Sequence, residues 1–274
     1  MKRILLILFA ILLLTGCAYD PTESEDTKKL EIYAYSIGKA DALLLKCEEA
    51  AILIDTGENG DGKKILEKLA ACGVEKLDLL VLTHFDKDHI GGADKILAKM
   101  PVDRVIMPVY EKDSTQYAEL SEALSGIDAE VMYLAQDETL TYGELLLSIW
   151  ASPVPFDGKS DNDQSIIVKA LYDGKAYLFM GDAEEAELRS LILSGKNLTC
   201  DVLKLPHHGV YDAQLPALLT VTMPSYVIIC DSEKNPADEE TMKTLSFFDT
   251  VILETKDGDI HLISAEKVIK AAKE

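Results

Sequence analysis

A chain of 274 residues that is 48% apolar is long enough to bury one large core, and no long Pro/Gly/Ser stretch divides it into separate domains. Its 27 Lys and Arg against 48 Asp and Glu leave a formal net charge of −21. A surface that acidic opposes nonspecific docking on a phosphate polymer, which binds through Lys and Arg with counterion release.

The chain opens with Lys2-Arg3 and the apolar run Ile4–Leu14. That run is short for a bilayer span and suited to the hydrophobic region of an export signal. Leu14-Thr15-Gly16-Cys17 looks like a bacterial lipobox, whose cleavage leaves Cys17 as a lipidated first residue. Acyl chains on Cys17 then supply membrane attachment, so the domain needs no membrane-binding surface of its own. The expected organisation is a lipoprotein signal peptide at 1–16, the lipidated Cys17 with a polar tether at 17–29, and one catalytic domain at 30–274. The expected location is extracytoplasmic, lipid-anchored to a bacterial membrane. Export permits disulfides, yet Cys47, Cys72, Cys200 and Cys230 are widely spaced, and three of them adjoin strand-like apolar runs. They read as buried free thiols.

Beyond the tether, strand and helix patterns alternate. Apolar runs predict strands at 32–37, 42–47, 51–55, 77–83, 105–108 and 130–134, then at 145–152, 165–172, 176–180, 202–205, 226–230 and 251–254. Helical periodicity falls at 63–71, 116–125, 184–193 and 239–247. This order fits the α/β class as an αββα sandwich, two mixed β-sheets flanked by helices, with strand-end loops gathered along one edge.

Four of the five histidines fall in two short clusters, Thr83-His84-Phe85-Asp86-Lys87-Asp88-His89 and Pro206-His207-His208-Gly209. Core packing explains that distribution poorly. His84, Asp86, Asp88 and His89 follow the apolar run Leu77–Leu82 and precede Gly91-Gly92, so they sit where a buried strand turns into a helix. Imidazole and carboxylate together suit zinc, manganese or iron, whereas calcium prefers all-oxygen shells. From extended backbone His84 and Asp86 point one way, while Asp88 and His89 enter the turn and point another. Two adjacent metals would use both pairs. Asp88 also suits an N-cap, and the glycine pair suits turn chemistry.

With these residues in view, THFDKDHIGG resembles the HxHxDH signature of the metallo-β-lactamase fold hydrolases, with Asp86 where the second histidine usually stands. That substitution is similar to the hydrolase domain of ComEC-type competence proteins. Ser36–Ala42 followed by Ile52–Gly57 is similar to the family's opening strands and DTG turn. Asp161–Ile166 resembles the subgroup's NxxS segment, Phe179–Asp182 the segment with the bridging aspartate, and Leu203–Gly209 the HHG motif. The resemblance implies the metallo-β-lactamase fold and two divalent metal ions, zinc or manganese. One would be held by His84, Asp86 and Asp182, the other by Asp88, His89, Asp182 and His208. It further implies that Asn162, Ser165 and His207 contact substrate, that Asp88 orients the attacking water, and that His207 binds a phosphoryl oxygen or protonates the leaving group.

Two departures stand out. No histidine lies between Ile90 and Pro206, where most of these enzymes carry a further ligand, so either Asn162 or Asp163 approaches the first metal or that site is weak or water-filled. Val210-Tyr211 follow HHG where the subgroup usually shows a serine. His261, between Ile260 and Leu262, reads as structural. The function expected is a binuclear phosphodiesterase or nuclease acting on a phosphoester, nucleic acid included, with Lys39, Lys87 and Lys204 as local positive charge. One alternative is hydrolysis of a small or cell-wall phosphoester such as a phosphocholine ester, which the acidic composition suits better. The other, motivated by the missing histidine, is a non-catalytic metal-binding lipoprotein. The residues name no protein partner.

Overall fold

A computed structural model describes residues 28–156 and 160–272 of the chain. The expected signal peptide, the lipobox with Cys17 and nearly all of the tether lie outside the described residues. In chain order, β1 (Leu30–Ala34), β2 (Leu43–Lys46) and β3 (Ala51–Ile54) form an antiparallel ladder. Helix α1 (Gly62–Ala71) then crosses to β4 (Leu79–Val81), and the short helices α2 (Lys87–Ile90) and α3 (Ala93–Leu97) lead to β5 (Arg104–Met107). Helix α4 (Thr115–Ser125) leads to β6 (Glu130–Tyr133), and the run from β3 to β6 pairs in parallel.

The second sheet mirrors that plan. Strands β7 (Glu138–Tyr142), β8 (Leu145–Trp150), β9 (Ile167–Tyr172) and β10 (Lys175–Phe179) are antiparallel neighbours. Helices α5 (Glu185–Leu193), α6 (Leu215–Thr222) and α7 (Glu239–Leu245) then alternate with the parallel strands β11 (Val202–Lys204), β12 (Tyr226–Ile229) and β13 (Val251–Glu254). Strands β14 (Ile260–Ala265) and β15 (Val268–Ala271) return to the first sheet beside β1. The sheet orders are β15-β14-β1-β2-β3-β4-β5-β6 and β13-β12-β11-β10-β9-β8-β7. This is the expected αββα sandwich.

Burial follows from the layering. In β3 every residue is buried because both faces are covered: Ile52 and Ile54 point into the layer between the sheets, Ala51 and Leu53 toward the helices. Leu145, Leu147 and Ile149 of β8 take alternate positions facing the same inter-sheet core. Helix α1 packs Ile65 and Leu69 against the first sheet, and α5 packs Leu188 and Leu191 against the second. Parallel strands β4 and β11, together with β3 and β10, all discharge their C-terminal ends toward one edge, where ligand sites form in sheets of this kind.

Strand and helix types agree with expectation for every run predicted at the sequence level, with ends shifted by a few residues. Of the elements without a predicted run, α6 and β7 show why. Helix α6 reads Leu-Pro-Ala-Leu-Leu-Thr-Val-Thr, apolar or β-branched throughout, so it carries no polar stripe to reveal its period. Edge strand β7 is half exposed and alternates Glu, Thr and Tyr with one Leu, which leaves no apolar face in the sequence. Cys47, Cys200 and Cys230 are buried and Cys72 is partly exposed, and all four are free. His261 stacks on Tyr33 of the neighbouring strand at 4.0 Å between ring centroids and lies 3.3 Å from Glu31, a structural contact.

Glu187 of α5 is buried with neither carboxylate oxygen in a hydrogen bond. Burial pushes its carboxyl well above the usual carboxylate range, against a smaller opposing effect of Ser152. The folded state therefore keeps a proton that the unfolded chain releases above its ordinary value near 4.5, and stability falls as pH rises through that window. Glu187→Gln is expected to remove this fall. Thermal unfolding at pH 5 and pH 8 should show a gap between variant and wild type that widens with pH, and equal gaps at both would refute the buried-proton account.

Candidate metal centre

The edge at the ends of β3, β4, β10 and β11 collects the two histidine clusters. Asp55 follows β3 with a left-handed backbone, φ 60°. It is fully buried, and its Oδ1 accepts from Thr83 N at 2.8 Å while Oδ2 accepts from Thr83 Oγ1 at 2.7 Å. Oδ2 also takes the Nδ1–H of His89 at 2.8 Å. His84 sets its Nδ1 3.1 Å from Thr83 Oγ1, and His208 donates from Nδ1 to the carbonyl of Cys230 at 3.0 Å. Each ring is thus held by Nδ1, and Nε2 of His84, His89 and His208 is left buried with no hydrogen-bond partner. Orientation of a ligand imidazole through its far nitrogen is the arrangement metal sites use.

Asp182 sits among these atoms. Its backbone N–H donates to Ser165 Oγ at 3.0 Å. Its Oδ2 lies 3.2 Å from His89 Nε2 and 3.1 Å from His208 Nε2, while Oδ1 has no hydrogen bond. Asp88 Oδ2 is 3.5 Å from His208 Nε2. Two groups of ligand atoms lie within 4.8 Å of one another, His84-His89-Asp182 and Asp88-His89-His208. A third, Asp41-Asp55-His89, forms on the Nδ1 side of His89, where the ring already donates to Asp55, and serves orientation.

The electrostatics fit a cation. Burial, with His89 alongside, pushes His84 down to about 3, so that ring is neutral and its Nε2 lone pair free. Burial lowers His208 as well, but Asp182 and Asp41 outweigh it and raise the ring to about 10. His89 rises in the same way beside Asp182 and Asp55. Burial raises Asp88, and His208 and His89 bring it back to about 2. Asp182 ends well below the ordinary range, held there by His208 and His89 against its burial. Buried carboxylates here recruit protons onto imidazoles for want of positive charge. A divalent ion releases such protons when it binds, so this donor set suits one.

Lys204 ends β11 on the face that looks into the inter-sheet layer, and its side chain is about 1% exposed. It pairs with Asp41, donates to Gly181 O at 2.9 Å and lies 3.6 Å from Asp182 Oδ1. It is a buried brace for two site aspartates, not a surface charge open to a phosphate polymer. Lys87 is exposed and pairs with Glu58 at 3.5 Å.

Backbone strain marks the second cluster. His207 and His208 have φ of 46° and 54°, followed by Gly209 at 80°. Non-glycine residues held there cost on the order of 1–3 kcal/mol each and persist where the surroundings over-determine them. The kink points His208 inward and sets His207 in a separate groove. At Gly91 and Gly92 the φ values are ordinary, −63° and −93°, so turn chemistry is not their reason. A Cβ on Gly92 would stand 2.2 Å from Thr56 O, and one on Gly91 2.4 Å from Asn59 N. They are glycines because the loop after Asp55 rests on them and hydrogen bonds Thr56 N to His89 O at 2.7 Å.

The remaining expected site residues part company. His84, Asp88, His89, Asp182 and His208 come together, whereas Asp86 belongs to none of these groups and its Oδ1 pairs with Lys112. Lys112 also pairs with Asp161. Asn162 and Asp163 do not take the place of the missing histidine. Asn162 donates to Glu184 at 2.9 Å and Asp163 accepts from Glu187 N at 3.0 Å. Ser165 is fully buried with its Oγ on Asp182 N, which places it behind the centre and out of a substrate's reach. His207 lies 3.2 Å from Glu184 through Nδ1 and borders a groove of about 680 Å³ lined also by Asp163, Arg189, Tyr211 and Asp212. Burial lowers its ring pKa. Glu184, Lys112, Asp161 and the bracing role of Asp41 and Asp55 escaped sequence reasoning. Asp41 and Asp55 stand inside the segments Ser36–Ala42 and Ile52–Gly57, but a carboxylate that orients a ligand has the same one-letter code as one that binds a metal.

Comparison with known proteins places this geometry in context. A family model described as "Metallo-beta-lactamase superfamily" matches residues 37–230, and one described as "Prokaryotic membrane lipoprotein lipid attachment site" matches residues 1–18. ComE operon protein 3 of Bacillus subtilis is 24% identical over 78% of the chain, and Competence protein ComA of Neisseria gonorrhoeae is 26% identical over 83%. The chain spans 30% of the length of each of these relatives. Among solved structures, the metallo-beta-lactamase fold protein YhfI from Bacillus subtilis superposes with a TM-score of 0.55 at 11% identity, covering 89% of this chain and 100% of that one, a likeness of fold.

Proposed function

Because the chain belongs to the metallo-beta-lactamase superfamily, we propose that it is a metal-dependent hydrolase of phosphoesters, a phosphodiesterase or nuclease, tethered outside the cytoplasm by lipid on Cys17. The tether rests on the lipid attachment match at residues 1–18. Among the described residues no helix is long and apolar enough to cross a membrane. The observation that carries the hydrolase reading is the set of unpartnered buried atoms on one edge, Nε2 of His84, His89 and His208 with Asp182 Oδ1. Asp88, His89, His208 and Asp182 would hold one divalent ion, and His84 with Asp182 a second.

Such ions supply, when bound, an acidified water and charge neutralisation at the phosphoryl oxygens. The chain's own groups do the rest. Asp88, close to His208 and less buried than the histidines, orients a nucleophilic water. Asp55, Thr83 and the Cys230 carbonyl fix the imidazoles. His207, braced by Glu184, lies on the groove where it donates to a phosphoryl or leaving-group oxygen. The detergent-solubilised chain is expected to hydrolyse bis-p-nitrophenyl phosphate with manganese or zinc, and Asp182→Asn to lose at least roughly a hundredfold in kcat/KM, since it removes a group shared by both ligand sets. No turnover in any divalent metal would move the non-catalytic lipoprotein reading ahead.

One observation favours a small substrate over a nucleic acid strand. Asp163, Glu184, Glu185 and Asp212 line the groove beside His207 against a single Arg189. A polyanion is repelled there, while a phosphoester with a cationic group, such as a phosphocholine ester, is attracted. The competence names of the relatives support the nucleic acid reading instead. Digestion of single-stranded DNA compared with release of choline from phosphocholine esters separates the two.

A further inference from the structure

The geometry points to Lys112 as a built-in cation that competes with metal at the His84 side of the centre. Carboxylates from two separate segments converge on its ammonium. Asp86 is the N-cap position of α2 and has extended backbone, φ −69° and ψ 149°. Lys112 lies on the loop between β5 and α4, and Asp161 stands just before the turn Asn162–Gln164. The ammonium is paired with both carboxylates. Its side chain is 28% exposed, with those of Asp86 at 35% and Asp161 at 17%, so solvent only partly screens the triad.

The consequence for the centre is specific. Asp86 belongs to neither of the ligand groups around His89 Nε2, although it is two residues from His84 and two from Asp88. Its carboxylate is taken by Lys112, and so is that of Asp161. The side that lacks a third histidine therefore carries a positive charge against its Asp86 carboxylate, whereas the other cation, buried Lys204, lies 3.6 Å from Asp182, the ligand both sides share, and does not distinguish them. An ammonium and a divalent ion repel each other and want the same oxygens. Lys112 thus makes the centre asymmetric, with one tight equivalent at Asp88-His89-His208 and one weak equivalent at His84-Asp182. Neutralising Lys112 frees Asp86 and Asp161 for the weak side.

This inference rests on the metal-binding reading above, and its test separates the two. Manganese is titrated calorimetrically into the metal-stripped, detergent-solubilised chain, with electron paramagnetic resonance to count isolated and coupled ions. Lys112→Met is expected to tighten the weaker equivalent by roughly tenfold or more, as removal of one nearby charge at intermediate dielectric allows, while leaving the tighter one within about twofold. Lys112→Arg keeps the charge and should bind as wild type does. In an Asp86→Asn background Lys112→Met should give a smaller gain than in wild type, because of the two carboxylates it frees only Asp161 remains. Thermal unfolding of each variant checks folding, and Lys112→Gln replaces Lys112→Met if the latter unfolds. A weaker equivalent that is unchanged or loosened in the neutral variant, with wild type still binding metal, overturns the inference alone. A wild-type chain that binds no metal overturns it together with the hydrolase reading.

Discussion

Replacing Lys204 with Met is expected to destabilise the metal-free fold by about 3–5 kcal/mol, the usual effect of stripping one partner from a buried ion pair. Lys204 is the buried cation between Asp41 and Asp182, and Asp41 has no hydrogen bond to either oxygen. Without the ammonium, two buried carboxylates are left with only protonated imidazoles to offset them. For a domain of this size the loss corresponds to a fall in melting temperature of roughly 10 °C. Two further measurements fix the cause. Lys204→Met combined with Asp41→Leu removes both partners, and such double replacements are often near neutral, so it should melt well above the single variant. Added manganese should also restore the single variant more than it stabilises wild type, since a bound cation supplies the missing charge. A double variant no better than the single one would mean that Lys204 acts through packing of its methylene stem alone.

The fold was legible because its signals are local. Runs such as Leu77–Leu82, and the apolar alternation around Leu145–Ile149, declare buried strands, and the periodic Ile65 and Leu69 declare the inner face of α1. What sequence cannot declare is an element whose pattern tertiary packing overrides. Helix α6 has no polar face to mark its period, and β7 gains its place from pairing with β8 across five residue pairs. In the site the division is similar. Histidine is rare in this chain, so two clusters of it carry information, and His84, His89 and His208 with Asp88 and Asp182 meet at one edge. Asp86 shows the limit. The motif predicts its position but not its partner, because Lys112 is 26 residues away and Asp161 lies in the other half of the chain. Ser165 and Asn162 likewise occupy their motif positions, yet one supports Asp182 from behind and the other is bonded to Glu184. A motif fixes backbone address, and the neighbours that decide what a side chain does come from long-range contacts.

Asp55→Asn is expected to weaken metal binding by about 10–100-fold, the size of effect that follows loss of a partner behind a ligand imidazole, with little change in melting temperature. The reason is a tautomer. Asp55 Oδ2 accepts both from Thr83 Oγ1 at 2.7 Å and from His89 Nδ1 at 2.8 Å, while Oδ1 accepts from Thr83 N at 2.8 Å. As an all-acceptor group it keeps one proton of His89 on Nδ1, so Nε2, which faces Asp182, is the nitrogen whose proton a metal displaces. An asparagine amide offers acceptors on one side only. If its NH2 faces the ring, Nδ1 must become the acceptor, the proton moves to Nε2, and the lone pair a metal needs is gone. If it flips, its NH2 meets the Thr83 N–H donor and the turn that carries His84 is disturbed. Either way both ligand groups suffer, because His89 belongs to each. Zinc or manganese titration of this variant against wild type, with ring tautomers read from imidazole nitrogen chemical shifts, tests the account. Wild-type affinity with His89 still protonated on Nδ1 would mean that the ring is held by its packing against His84, whose centroid lies 4.0 Å away, and that the carboxylate behind it is incidental.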